Sequence, residues 1–347
     1  MPHPVQANDE ISSLGEFGLI RHLTKDITLQ NSSSEVGIGD DAAVLDYGDS
    51  KIVVTTDLLT EGIHFNLEYT PLKHLGYKAA VVNFSDVFAM NAFPKQLLIS
   101  IALSGKFSIG MIESLYEGLL LACRKYGVDM VGGDTSSSLT GMTLSITVLG
   151  EAESGTTVYR KGARENDLIC VSGDLGAAYM GLQVLERERK LYRGHPEAQP
   201  DLSDYNYILE RQLKPEARGD IIRLLRENGI RPTSMIDISD GLSSEILHIC
   251  KESNTGCRIF ADKVPIHPST VSAADEFNIE PLIAALNGGE DYELLFTVPL
   301  SEFGIIAKQP GVSVIGHITA ASEKALLVAP GGNTIELTAQ GWNAMNG

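Results

Sequence analysis

Cysteine is scarce in this chain: four in 347 residues, with no CxxC pair, which excludes a disulfide framework and a thiolate metal knot. Cys123, Cys170, Cys250 and Cys257 therefore read as reduced thiols of a cytoplasmic protein. Long hydrophobic runs are missing too. No stretch suffices to span a bilayer, and Met1 to Ser13 is polar where a signal peptide needs an apolar centre. Basic charge is in short supply: 27 Lys and Arg face 45 Asp and Glu, for a formal net charge of −18. That balance argues against nucleic acid or an anionic membrane surface as partner. No GxxxxGK[ST] loop occurs, because Gly105-Lys106 runs into Phe107, and neither HRD nor DFG is present. A nucleoside triphosphate would have to be held by metals and backbone instead of a P-loop lysine. Asp237, Ser239 and Asp240-Gly241 lack the aspartate spacing and distal Glu of a calcium loop.

What is present is a globular composition, 43% hydrophobic and 21% charged, on a chain long enough for two domains. Strand and helix signals alternate. Lys51 to Thr56 is a β-branched run ending at Asp57; Leu75 to Met90 is helical; Gln96 to Leu103 reads as a buried strand. Ile109 to Tyr126 is an amphipathic helix stopped by Gly127, Asp129 to Val131 leads into a Gly132-Gly133-Asp134 turn, and Met142 to Leu149 alternates as a strand. The polar, Gly-bounded stretch from Gly150 to Gly155 marks a boundary between residues 1–152 and 153–347. Beyond it, strands are expected at Leu168 to Val171, Met235 to Ile238 and Tyr292 to Val298. Helices are expected at Ala177 to Leu185, Pro215 to Asn228, Leu242 to Glu252 and Ile279 to Leu286, with a charged loop over Glu186 to Tyr205. The fold class is α/β (α+β), two mixed domains with acidic turns at strand ends.

Those acidic turns carry the chemistry. Gly39-Asp40-Asp41, Thr55-Thr56-Asp57, Asn83-Phe84-Ser85-Asp86, Gly132-Gly133-Asp134, Asp237-Ile238-Ser239-Asp240-Gly241 and Gly288-Gly289-Glu290-Asp291 each hold more acids than nearby bases. Carboxylates in apolar settings need a cationic partner, and internal salt bridges cannot supply one here. Oxygen donors without His or Cys suit Mg²⁺, which bridges carboxylates to phosphates. Singly, each motif has a plainer explanation: Asp40-Asp41 as a turn or helix cap, Asp57 as a solvated strand end, Arg160-Lys161 as a solvated loop. Asp86 is sharper, because its helix is otherwise rich in Ala, Val and Phe. No Ser-His or Cys-His arrangement suggests a nucleophile or base.

In order along the chain, Gly37-Ile38-Gly39-Asp40-Asp41-Ala42-Ala43, Thr56-Asp57 with Gly62-Ile63-His64-Phe65, and Lys78-Ala79-Ala80-Val81-Val82-Asn83-Phe84-Ser85-Asp86 resemble the thiamine-monophosphate kinases. So do Val131-Gly132-Gly133-Asp134-Thr135, Asp237-Ile238-Ser239-Asp240-Gly241-Leu242 and Gly288-Gly289-Glu290-Asp291-Tyr292-Glu293-Leu294. The match runs from Gly15-Glu16-Phe17 to Gly341-Trp342. It implies the aminoimidazole-ribonucleotide-synthetase superfamily: homodimers whose N-terminal strands form a shared barrel, with ATP between two α/β domains. The implied reaction passes the γ-phosphoryl group of ATP to thiamine monophosphate. By the same resemblance Asp41, Thr55, Thr56, Asp57, Asp86, Asp134, Asp237 and Asp240 ligate Mg²⁺, directly or through water. Tyr116, Gly133, Asp134, Arg160 and Ser239 contact ATP, with Arg160 a stabiliser of transferring charge, and His64, Glu290 and Trp342 contact thiamine.

Two positions depart from the pattern: Ser137 stands where many relatives carry Arg, and Asn91 where Gly is common. Residues before Gly15 read as an extra N-terminal arm. Two other classes remain open on the sequence, another ATP-dependent enzyme of the superfamily and a non-catalytic divalent-ion-binding protein. A selenophosphate synthetase needs an early reactive Cys or selenocysteine, whereas the first cysteine is Cys123. A hydrogenase-maturation dehydratase ends in cysteine, whereas this chain ends Ala344-Met345-Asn346-Gly347.

Overall fold

The computed structural model describes Thr24, Leu29 and residues 31–48, 50–194 and 201–339. The N-terminal half runs β1 (Ser34–Val36), β2 (Ala43–Asp46), β3 (Ser50–Thr60), α1 (Leu72–Ala89), β4 (Phe93–Leu103), α2 (Ile109–Tyr126), β5 (Asp129–Ser137), β6 (Met142–Glu153). The C-terminal half runs β7 (Leu168–Ser172), α3 (Ala177–Gly194), α4 (Asn206–Leu213), α5 (Gly219–Glu227), β8 (Ser234–Asp237), α6 (Leu242–Ser253), β9 (Thr255–Phe260) and α7 (Pro268–Glu276). It continues through α8 (Pro281–Asn287), β10 (Leu294–Val298), α9 (Phe303–Ile306), β11 (Val312–Ala320), β12 (Ala325–Val328) and β13 (Thr334–Glu336). Among the described residues this is a mixed α/β chain with two sheets, ordered β1-β2-β3-β6-β4-β5 and β13-β12-β9-β11-β7-β10-β8. The first sheet is open, with β1 and β5 at its edges.

α1 is rich in Ala, Val and Phe and from Leu75 onward is buried around nearly its whole circumference, between the first sheet and α2. The two helices approach through glycines. A Cβ on Gly76 would lie 1.9 Å from the Leu115 carbonyl oxygen, and one on Gly118 would lie 1.8 Å from that of Lys73. α2 is bounded as its sequence dictates, by Ser108 accepting from the Met111 amide (3.4 Å) and by Gly127 at φ +71°. The largest core cluster joins α1 and both faces it touches to Met235, Leu294 and Phe296, so the halves meet behind α1 and β8.

Several expectations change. Gly132-Gly133-Asp134 is strand, not turn, and β5 continues to Ser137. Gly133 is needed there for close strand packing, since a Cβ would sit 1.8 Å from the Ile99 carbonyl oxygen. β3 runs past Asp57 to Thr60, paired with β6 throughout, so Asp57 lies within the strand. β6 extends to Glu153, into the expected boundary stretch. α3 continues to Gly194 through residues expected as loop, and α5 begins only at Gly219, four residues beyond Pro215.

Candidate active site

Period two divides the motif on β3. Thr55 is buried and, with Asp57, faces α1, while Thr56 is exposed on the opposite face. The last turn of α1 supplies Asp86, and the loop before β2 supplies Asp41. The end of β8 supplies Asp237 from the other half of the chain. Carboxylate oxygens of Asp41, Asp86 and Asp237 all lie within 4.8 Å of one another. Each is held: Thr55 Oγ1 donates to Asp86 Oδ2 (2.7 Å), Ser85 Oγ to Asp237 Oδ2 (2.6 Å), and Arg160 Nη2 to Asp41 Oδ1 (2.7 Å). The Arg160 amide donates to both carboxylate oxygens of Asp40, at 3.1 and 3.3 Å.

One guanidinium does not balance this cluster. Burial pushes the Asp237 carboxyl up to about 8, and Asp41 and Asp57 add to the rise while Ser85 and Arg160 oppose it. Asp86 is driven well above the ordinary carboxylate range by burial and then by Asp57, Asp237 and Asp41. Burial raises Asp41 as well, against the pull of Arg160, and lifts Asp40 to about 7 with help from Asp41. Carboxylates brought this close are stable only with protons or a cation among them. Asp41 Oδ2 is buried with no hydrogen-bond partner. An all-oxygen donor set with an orphaned acceptor fits a small hard dication.

The cluster opens on a cavity of about 640 Å³ lined by Asp57, Asp86, Asp237, Ser239 and Asp240. Its lining also includes His64, Phe65, Tyr69, Lys78, Gln212 and Glu290. His64 Nδ1 accepts from the Thr60 amide (3.0 Å), which puts the ring hydrogen on Nε2. Glu290 and Tyr292 have left-handed backbones, φ +59° and +51°, and hydrogen bonds to the β8–α6 loop hold them. The Glu290 amide donates to the Ser239 carbonyl (2.6 Å) and the Tyr292 amide to that of Ile238 (2.9 Å). Strain of this kind costs about 1–3 kcal/mol per residue and persists where surrounding structure enforces it.

Other expected site residues lie elsewhere. Leu58, Ser145, Ser100 and Asp134 form one cross-strand row over β3, β6, β4 and β5. Three strand spacings of about 4.8 Å put Asp134 roughly 14 Å from β3. Like Thr56 it is exposed on the sheet's open face. Thr56 Oγ1 donates to the Ile146 carbonyl (2.9 Å) and sits 3.0 Å from Thr147 Oγ1. Tyr116 lines a separate groove with Leu103, Phe107 and Ile109. Trp342 and the arm before Gly15 lie outside the described residues. The site also draws on Lys78 and Gln212, which line the cavity, and on Glu245, whose Oε1 accepts from the Asp240 amide (3.1 Å). For Lys78 the sequence signal was there, because Leu75, Lys78, Val82 and Asp86 recur at helical spacing along one stripe of α1. For Gln212 and Glu245 there was none, since only the tertiary fold brings them to the site.

The family profile described as AIR synthase related protein, N-terminal domain, matches residues 39–152. The thiamine-monophosphate kinase of Bacillus subtilis is 32% identical over 337 residues, 95% of this chain and 99% of that protein. That of Aquifex aeolicus is 35% identical over 315 residues, covering 88% and 96% respectively. A solved structure described as AaThiL complexed with AMPPCP and TMP superposes with a TM-score of 0.82 at 32% identity, covering 96% of this chain and 98% of that one.

Proposed function

The chain belongs to the thiamine-monophosphate kinase family, and from that premise and the site's geometry we propose that it transfers the γ-phosphoryl group of ATP directly to thiamine monophosphate, yielding thiamine diphosphate and ADP. The observation that carries the reading is the gathering of Asp41, Asp86 and Asp237, with a single guanidinium paired to Asp41, beside a cavity of about 640 Å³. On the covered face Asp41, Thr55, Asp57, Asp86, Asp237 and Asp240 would hold Mg²⁺. When bound, the dications supply positive charge against the repulsion of two polyanions, about 4 kcal/mol per pair of unit charges at an effective dielectric of 20.

The rest falls to the chain's own groups. A phosphate monoester has a second pKa of about 6, so the acceptor oxygen is already ionised at neutral pH and no residue needs to take a proton. Catalysis is then positioning of donor and acceptor in line, with charge stabilisation. Arg160, fixed by Asp41 and the Asp40 carboxylate, offers charge to the transferring oxygens. His64 Nε2 offers a hydrogen to the substrate, Glu290 accepts one, and Trp342 closes the substrate list taken from the motif. Ser239, Gly133, Asp134 and Tyr116 are assigned to ATP.

The assignment also calls for a second chain. Thr56 and Asp134 share the open face but not a strand neighbourhood, so one chain cannot bring both to one ion. We assign Asp134 to the partner's site in a homodimer built on that open face, where Val131 is 57% and Leu58 58% exposed. Four buried, unpaired cysteines support a cytoplasmic setting. No described helix is long and apolar enough to cross a membrane. The test is ADP formation that depends on thiamine monophosphate. ATP turnover that is equal with and without it, yielding no diphosphate, refutes the assignment. Free thiamine should be a poor acceptor, because its hydroxyl is not ionised and the carboxylates that could take its proton are assigned to the cations.

A further inference from the structure

We propose that Lys78 and Gln212 are positioning residues that make Glu290 a charge-neutralised hydrogen-bond acceptor, so that the site selects its substrate by the exocyclic amine of the pyrimidine and not by the thiazolium charge. The inference rests on thiamine monophosphate being the acceptor. Lys78 is buried on α1, its side chain 7% exposed, and its ammonium lies 3.0 Å from Glu290 Oε1. The same ammonium donates to the Gln212 carbonyl oxygen at 2.9 Å, tying α1 to α4. Gln212 Nε2 in turn donates to Glu290 Oε2 at 2.8 Å. Both carboxylate oxygens are thereby fixed by donors from two different helices, and the left-handed backbone at Glu290 fixes the third point of the side chain's frame.

Charge decides what such a carboxylate can recognise. With Lys78 in contact, the Glu290 negative charge is matched within the protein, and a cation approaching from the cavity gains little from it. Each oxygen still has a lone pair, and the side chain remains 32% exposed while its partners are covered. An uncharged N–H donor meets both conditions. Thiamine monophosphate offers one in the amine of its aminopyrimidine. The amide of Gln212 is oriented by the same network: its nitrogen must face the carboxylate, which leaves Oε1 as a second acceptor, buried without a partner. Arg211, the neighbour of Gln212 on α4, donates to the Asp174 carbonyl (2.9 Å) and to Glu293 Oε1 (2.7 Å), so the α4 end of the frame is itself pinned.

Two analogues separate amine from charge. In the 4-oxo analogue a carbonyl replaces the amine; in the neutral analogue carbon replaces the thiazolium nitrogen. With the full chain and saturating Mg-ATP, kcat/KM should fall by at least about a hundredfold for the 4-oxo compound, because a site built to accept a hydrogen bond is left facing another acceptor. The neutral compound should lose less than about tenfold. The reverse ranking overturns the proposal, and so does equal use of all three acceptors. Lys78→Met and Gln212→Leu should raise KM for thiamine monophosphate, leave KM for ATP in place, and cut the selectivity against the 4-oxo compound by about tenfold or more. Variants that melt cooperatively yet keep wild-type selectivity overturn the positioning role; should either fail to fold, the wild-type ranking alone decides. Wild-type protein with no turnover of thiamine monophosphate overturns the activity assignment and this inference together.

Discussion

On the covered face of the N-terminal sheet, Thr55 and Asp57 look onto α1 and meet Asp41, Asp86 and Asp237 in a buried cluster. On the open face Thr56 and Asp134 stand exposed, about three strand spacings apart. Consecutive residues of one motif, Thr55 and Thr56, fall into these two settings because side chains alternate along a strand. The covered group is completed by tertiary packing within one chain, with α1 bringing Asp86 and β8 bringing Asp237. The open group has no such completion among the described residues, and in the proposed dimer the partner supplies it. The acidic motifs, equal in the sequence, are thus unequal in what they need in order to act.

The largest effect is expected on the covered face. On the proposed reading Asp237→Asn removes a charge needed only when cation and nucleotide are bound, and activity should fall by about a hundred- to thousandfold or more. Stability without ligand should rise. Burial and Asp41 raise the Asp237 carboxyl to about 8, so between about 4 and 8 the folded state binds more protons than the unfolded chain. Stability conferred at low pH is therefore lost as pH climbs through that window, and Asp237→Asn should flatten the decline. Thermal melts across pH, without Mg²⁺, measure it. A mutant that melts earlier than wild type at pH 7.5 would show that the ionised carboxylate is a structural asset, and would break the contrast between the faces.

The open face is tested by mixing. Asp57→Asn and Asp134→Asn should each inactivate the protein alone. If Asp134 serves the partner's site, co-refolded mixtures should recover about a quarter of wild-type activity: half of the dimers are mixed, and each has one intact site. No recovery, with mixed dimers verified, would put Asp134 to work within its own chain and remove the distinction drawn from the register.

How far the sequence could go follows from the same contrast. Helix α2 and its caps were readable because Ser108, the apolar stripe and Gly127 are local signals. The acidic residues were readable as candidates because charge in an apolar context is conspicuous. Their grouping was not, since it depends on register across β3, β6, β4 and β5 and on which face α1 covers. Gly133 reads locally as a turn residue, although its role is to let β5 approach Ile99, a non-local reason with no local mark. Strands β1, β2, β9, β11, β12 and β13 and helices α4, α7 and α9 carry no comparable local signal, and with α4 goes Gln212. Lys78 stands within a quoted motif, but its partner Glu290 lies far along the chain and only the fold sets the two side by side.

The smallest effects separate the two threonines themselves. Thr55 gives its hydroxyl hydrogen to a buried carboxylate, and Thr55→Val takes away that donor while filling the same volume. Loss of a hydrogen bond to such a group costs about 1–3 kcal/mol, and Asp86 would move further toward its protonated form, weakening cation binding as well. Thr56 donates instead to a carbonyl on a wet face, where water replaces the hydroxyl and valine's strand preference offsets part of the loss. Thr56→Val should therefore change stability by less than about 0.5 kcal/mol. Its effect on activity isolates ligation. With its hydrogen committed to Ile146, Thr56 Oγ1 takes a hydrogen from Thr147 Oγ1 and keeps one acceptor position for a cation, so a modest fall in activity with a raised Mg²⁺ requirement is expected. Thr56→Ser should restore both, since it keeps the oxygen and discards only the methyl group. If Thr56→Val instead matches wild type in its Mg²⁺ dependence, the hydroxyl has no ligand role, and the open face contributes Asp134 alone.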